Sequence, residues 1–195
     1  MWEWLDFFLN IIVLTLGWYT LVNIVKRTAL GRGRAQQFDN MIGATLMYFI
    51  MKDSLKKFYE SPKKEVFASL EELKSADPEL QKKNALNILE VGVGSGTNLE
   101  YYPADSRLLC VDPNKEFEIY FRRECKRKAA HLDPDIRFVT ERGECMPSVA
   151  DNSVDVVVTT LVLCCVRHVD QMIREIHRVL VPGGKYYFVE HVRDK

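Results

Sequence analysis

The sequence has no excess of charge of either sign: 27 Lys and Arg stand against 27 Asp and Glu. That balance gives a polyanion no general attraction, and no nucleic-acid partner is expected. The five cysteines, Cys110, Cys125, Cys145, Cys164 and Cys165, form no CxxC pair and no Cys/His cluster at metal-ligand spacing. No metal site is therefore expected, and reduced thiols in a cytosol-facing domain are. Internal repeats and low-complexity tracts are lacking too. So is a secretory signal pattern, because Glu3 and Asp6 stand where a positive n-region belongs.

One long stretch has no charge at all. Phe7 to Val25 is dominated by Phe, Leu, Ile, Val, Trp and Tyr. As a helix it would reach about 28 Å, close to the roughly 30 Å of a hydrocarbon core. Lys26, Arg27, Arg32 and Arg34 follow it, and only Asp39 and Asp53 oppose the seven basic residues between Lys26 and Lys57. Residues 1–30 are expected to anchor the chain in a membrane with the remainder on the cytosolic side. A spanning helix and one lying in a single leaflet both fit. The apolar stretch Met41 to Met51 is too short to span and reads either as an interfacial helix or as a buried one. Residues 31–84 are expected to form a helical linker or lid, with a helix over Phe58–Leu73 and a polar connection over Ser75–Asn84.

From Ala85 onward the pattern changes to short apolar runs alternating with amphipathic stretches. Strands are predicted at Ala85–Val91, Leu108–Val111, Ile136–Thr140, Val154–Thr159 and Tyr186–Val189, with helices at Glu116–His131 and Asp170–Leu180. This alternation implies an α/β, Rossmann-like parallel sheet over residues 85–195.

The chemistry concentrates after the first strand, in Leu89-Glu90-Val91-Gly92-Val93-Gly94-Ser95-Gly96-Thr97-Asn98. Glycines let the backbone turn tightly and approach a ligand, which would meet the N–H groups of the helix expected to follow. A dinucleotide site would read GxGxxG. Here the spacing is GxGxG, and Glu90 just before it suits a cationic ligand better than a pyrophosphate, so a nicotinamide oxidoreductase is disfavoured. Asp112 closes the second strand 18 residues after Gly94, placed to accept two ribose hydroxyls.

These residues resemble the class I S-adenosylmethionine-dependent methyltransferases. The resemblance continues through Arg142-Gly143-Glu144-Cys145-Met146-Pro147, Asp151-Asn152-Ser153-Val154-Asp155 and Leu180-Val181-Pro182-Gly183-Gly184. With Thr160–Cys164, Glu190-His191-Val192 and the apolar N-terminus, the chain is similar to the microsomal alkyl-thiol methyltransferases of the methyltransferase-like group. The resemblance implies S-adenosylmethionine as cofactor. Glu90, Gly92, Gly94 and Gly96 would surround its methionine and ribose, and Asp112 would take the ribose hydroxyls. Pro113 and Asn114 would flank the adenine, Gly143 and Glu144 would lie along its edge, and Leu161 would close the pocket. It further implies a small hydrophobic thiol as methyl acceptor and the endoplasmic reticulum membrane as location, with lipid droplets a second address. Class I sheets carry two further strands, which this chain is expected to lack as a truncated isoform or incomplete gene product.

Transfer from a sulfonium is an in-line displacement helped by a thiolate acceptor. His191 is the candidate base, with strand capping as its bland alternative. His168 and His177 read as structural or solvated, and Cys164 and Cys165 as buried packing residues rather than nucleophiles. Two other functions remain open: methylation of a quinone or other lipid-like acceptor, and a catalytically silent membrane or lipid-droplet protein.

Overall fold

The computed structural model describes residues 19–20, 32–49 and 56–191. The chain forms two compact units, Met1–Gly43 and Ala44–Lys195. Among the described residues no helix is long and apolar enough to cross a membrane. The anchor expected at Phe7–Val25 lies, except for helical Tyr19 and Thr20, outside the described residues.

Helix α1 (Arg32–Phe49) carries most of the second apolar stretch. Within the larger unit one of its faces is packed. Ala44 and Tyr48 are buried, and the Tyr48 ring stacks on Tyr120 with centroids 4.7 Å apart. The Tyr48 hydroxyl donates to Glu124 Oε1 at 3.1 Å. Leu46, Met47 and Phe49 stay exposed. Over Ala44–Phe49 the stretch is thus a helix buried along one side, with apolar side chains exposed along another.

Helix α2 (Lys56–Phe67) runs into a 3₁₀ segment, Ala68–Glu72, so the helix expected over Phe58–Leu73 tightens in its last turn. The supposed linker over Ser75–Asn84 is structured. It contains the short helix α3 (Pro78–Lys82), with Asp77 as its N-cap and proline at the first helical position, where its missing N–H costs nothing. Ser75 is buried, and its hydroxyl donates to Asp155 Oδ2 at 2.6 Å.

The sheet is parallel throughout, in the order β3-β2-β1-β4-β5, with β1 Asn87–Val91, β2 Arg107–Val111, β3 Arg137–Val139, β4 Val154–Thr160 and β5 Leu180–Val189. Central parallel strands are covered on both faces, which is why β1 and β4 read as continuous apolar runs rather than alternations. Ile88, Val156 and Val158 join one core layer with Phe67, Leu70 and Phe121. Leu89, Val91 and Val157 join the other with Met146, Met172, Ile176 and Val179. Met172, Ile176 and Val179 are the inward stripe of α5 (Val169–Val179), and Phe121 is the inward anchor of α4 (Glu118–Lys128).

Three differences from the sequence expectation have physical causes. Instead of an α-helix after the glycine loop there are turns and one 3₁₀ turn, Leu99–Tyr101. Gly92, Gly94 and Gly96 all have left-handed φ (72°, 52° and 80°), which interrupts any helical run, and Pro103 holds Tyr102 extended at ψ 142°. The fourth helix is shorter than Glu116–His131, because Lys115–Phe117 forms its own 3₁₀ turn on Asn114. Leu180–Gly184, ahead of the strand predicted at Tyr186–Val189, belongs to β5 and forms a bulge inside it. Leu180 pairs with Val154, Lys185 pairs with Val156, and Gly183 at φ 84° takes up the extra length.

Candidate functional site

Strand β1 lies between β2 and β4, so the chain winds outward in both directions from it. In open α/β sheets ligands bind at this switch point, beyond the carboxyl ends of the strands. The structure brings four strand ends together there: Glu90 and Gly92 on β1, Asp112 on β2, Leu161 on β4 and Glu190 on β5.

Glu90 shares the face of Ile88, because side chains alternate along a strand, and it therefore enters an apolar layer. It is 2% exposed. Tyr102 donates its hydroxyl to Glu90 Oε2 at 2.7 Å, and Asn98 Nδ2 donates to Oε1 at 2.8 Å. Burial nonetheless pushes the Glu90 carboxyl up to about 7, opposed by those donors and by the positive charge of Lys63. Lys63, on α2, is itself buried, and its ammonium donates to Thr97 Oγ1 at 2.7 Å. Burial lowers it to about 8, partly offset by Glu90.

Asp112 stands against the glycine loop, accepting Gly94 N–H on Oδ2 at 2.9 Å and Asn114 N–H on Oδ1 at 2.8 Å. A carboxylate oxygen accepts more than one hydrogen bond, so both oxygens retain capacity for hydroxyl donors. Burial raises its pKa, while the two backbone N–H groups hold it down. Pro113 is exposed beside it, and Asn114 Oδ1 accepts Glu116 N–H at 3.1 Å.

The turn after β4 is strained and clamped. Leu161 has φ 58°, uncommon for a residue with a Cβ, and its N–H donates to Val189 O at 2.8 Å. Glu190 Oε1 accepts from Val162 N (2.8 Å) and Leu163 N (3.0 Å). Val162 then meets the first glycine, where an added Cβ would lie 2.5 Å from Val162 Cγ2. The two loops fit only because Gly92 is glycine.

The remaining expected residues have contacts within the protein. A Cβ on Gly143 would sit 2.8 Å from Val91 Cγ1 and 3.2 Å from Met172 Sδ, so this glycine serves the packing of β1 on α5. Glu144 Oε1 accepts Arg167 N–H at 2.9 Å and ties the loop after β3 to the segment before α5. His191 is exposed just past β5, with Nε2 3.4 Å from the Tyr59 hydroxyl. Cys164 and Cys165 are exposed rather than buried, their sulfurs 3.6 Å apart, because the clamped turn lifts them off the sheet edge.

Sequence reasoning missed Lys63, Asn98 and Tyr102. None had a signal of its own, since Lys63 reads as one of many solvated lysines on a helix and the other two as loop residues. They are found through Glu90, which needs buried partners. A further pair stands out. Among the described residues the buried side-chain atoms without a hydrogen-bond partner are Asn98 Oδ1 and Glu116 Oε1. Both are acceptors, and both lie in the segments that follow β1 and β2.

Comparison with known proteins agrees with this geometry. The methyltransferase domain family matches residues 89–188. Human thiol S-methyltransferase TMT1A is 46% identical over 132 residues, 68% of this chain and 51% of that protein. Rat thiol S-methyltransferase TMT1B is 40% identical over 149 residues, 76% of this chain and 57% of that protein. The chain thus spans about half the length of the curated relatives it matches. Among solved structures, a Methanococcus maripaludis protein described as an S-adenosyl-L-methionine-dependent methyltransferase superposes with TM-score 0.60 at 19% identity, covering 76% of this chain and 62% of its own. The [4+2]-cyclase SpnF superposes with TM-score 0.51 at 20% identity, covering 65% of this chain and 43% of its own, so the fold by itself does not name a reaction. Sheet order, the loops joined at the switch point and the match over residues 89–188 lead to one assignment: this chain belongs to the methyltransferase domain family.

Proposed function

We propose that the chain binds S-adenosylmethionine at the ends of β1, β2 and β4 and transfers its methyl group to a small hydrophobic thiol. One observation carries the reading: a buried carboxylate, Glu90, beside a buried acceptor without a partner, Asn98 Oδ1. Acceptors gathered in an apolar layer await donors, and a positively charged ammonium supplies them. The residues present fit this cofactor. Asp112 would take ribose hydroxyls next to the Gly94 N–H, and Glu116 Oε1 in the segment after β2 offers an acceptor for an adenine amino group. When bound, the cofactor supplies a methyl group on positively charged sulfur.

The chain's own contribution is positioning and exclusion of water. The Leu161 turn, held by Glu190 and pressed on Gly92, closes one side with half-buried Val162 and Leu163. A thiol must lose its proton to become a good nucleophile, and His191, at the end of β5, would receive it. The thiol assignment is supported by relatives named thiol S-methyltransferases. Attachment to the endoplasmic reticulum membrane is supported by the uncharged run Phe7–Val25 and the basic residues after it.

Calorimetry tests the reading. The wild-type chain should bind S-adenosylmethionine and not NADH, and Asp112→Ala should weaken the binding at least tenfold. Absence of nucleoside binding to the folded wild type would remove the enzymatic reading. Sedimentation with membranes should be lost on deletion of residues 1–30. Release of the full chain by alkaline carbonate would exclude an integral anchor.

A further inference from the structure

The site holds two opposite charges that the fold does not need. Glu90 is an anion in an apolar layer, and Lys63 is a cation 4% exposed on the helix that covers it. Among the described residues the two do not touch as an ion pair; each is held instead by a neighbour on the glycine loop. Thr97 Oγ1 accepts from Lys63 Nζ at 2.7 Å, and Asn98 Nδ2 donates to Glu90 Oε1 at 2.8 Å. Thr97 and Asn98 are consecutive, so their Cα atoms are about 3.8 Å apart. Adjacent residues of one loop thus hold the buried cation and the buried anion.

An ammonium has three N–H donors, and Lys63 uses one of them on Thr97. Buried charges are costly unless paired and hydrogen-bonded. The unused donors of Lys63 call for an anion, just as Glu90 and Asn98 Oδ1 call for a cation. Resting on the S-adenosylmethionine reading above, we propose that Lys63, with the Thr97 hydroxyl, receives the carboxylate of the cofactor's amino-acid end, while Glu90 and Asn98 receive its ammonium. Lys63 is then a binding residue supplied by α2, outside the part of the chain that the methyltransferase family matches. The segment before the sheet would complete the cofactor site as well as cover it.

The test uses three ligands in calorimetry with the full chain: S-adenosylmethionine, its decarboxylated form, and 5′-methylthioadenosine. The second keeps the sulfonium and the amine but lacks the carboxylate; the third lacks the whole amino-acid end. Wild type should bind S-adenosylmethionine about tenfold to a hundredfold tighter than the decarboxylated form, the range expected of one charge-assisted hydrogen-bonded contact. Lys63→Met should lose that advantage and bind the decarboxylated form as tightly as wild type does or more so. Glu90→Gln should weaken both amine-bearing ligands alike and leave 5′-methylthioadenosine unchanged.

If Lys63→Met weakens S-adenosylmethionine and its decarboxylated form equally, Lys63 merely neutralises Glu90 and the proposal is wrong. If that variant does not fold, the wild-type ratio decides, and equal binding of the two amine-bearing ligands overturns the proposal. Failure of the folded wild type to bind any of the three removes the cofactor reading itself, and this proposal with it.

Discussion

Replacing Glu90 by glutamine should make the ligand-free protein more stable at pH 8 and less able to bind cofactor. The carboxyl titrates at about 7, raised chiefly by burial, against an ordinary value of 4.5. A carboxyl whose pKa is higher in the folded chain than in the unfolded one contributes stability that is full below the unfolded value. That contribution is lost as pH rises through about 7. Above neutrality the native state carries a buried anion at a cost of about 3 kcal/mol, taking 1.36 kcal/mol per pH unit. Glutamine preserves the shape, accepts from Asn98 through its oxygen, and donates to Tyr102 once that hydroxyl rotates. Lys63, already lowered to about 8, then loses its opposing charge and sheds its proton more readily. Urea denaturation of wild type and Glu90→Gln at pH 5 and at pH 8 measures the difference. The expected outcome is near-equality at pH 5 and an advantage of about 2–3 kcal/mol for glutamine at pH 8. A glutamine variant less stable than wild type at pH 8, or the same gap at both pH values, would refute the argument. Stability gained as binding is lost is the mark of a carboxylate kept for a ligand.

Asp155 gives the opposite expectation. It is 5% exposed near the amino end of β4, at the end of the sheet opposite the site, and accepts from Ser75 Oγ, Ala76 N and Asn87 N at 2.6, 2.7 and 2.8 Å. Asp155→Ala leaves those donors without a partner and should lower stability by about 2–4 kcal/mol, with cofactor affinity of the folded fraction unchanged. Urea titration and calorimetry on the same sample check both halves. Gly143→Ala presses a Cβ onto Val91 and Met172 and should cost about 1–3 kcal/mol by thermal denaturation; a variant as stable as wild type would mean that Met172 gives way freely. In the native protein iodoacetamide should modify the exposed Cys164 and Cys165 and spare Cys110, whose thiol is buried and pushed well above its ordinary pKa; mass spectrometry of labelled peptides reads the pattern.

The sheet was legible because parallel strands buried on both faces leave a strong trace in sequence. Four of the five strands fall within two residues of their expected ends. The fifth differs at its start, because Leu180–Gly184 has the composition of a turn and only the register against Val154 and Val156 shows it as a bulge. What failed was local conformation set by distant partners. Ser75–Asn84 is polar in composition, yet Ser75 is buried because Asp155, 80 residues away, requires its hydroxyl. Cys164 and Cys165 follow an apolar run, yet Glu190 pins the turn that exposes them. Neither pairing has a period that a sequence could display.

The same distinction reweights the site. The glycines that drew attention first are substantially accounted for by the protein's own packing. Gly92 makes room for Val162, Gly143 for Val91 and Met172, and a Cβ on Gly96 would fall 2.8 Å from Leu99 Cδ1 and 3.0 Å from Phe121 Cδ2. Such contacts would demand glycine whether or not a ligand ever bound, so the motif alone argues for a fold more than for a function. A fold-only account leaves Glu90, Asn98, Glu116 and Lys63 unexplained. Glutamine at position 90 would meet Tyr102 and Asn98 without burying a charge, so those two partners do not require a carboxylate there. A chain keeps costly polar groups where something else uses them, and the residues that fit the fold worst carry the functional argument.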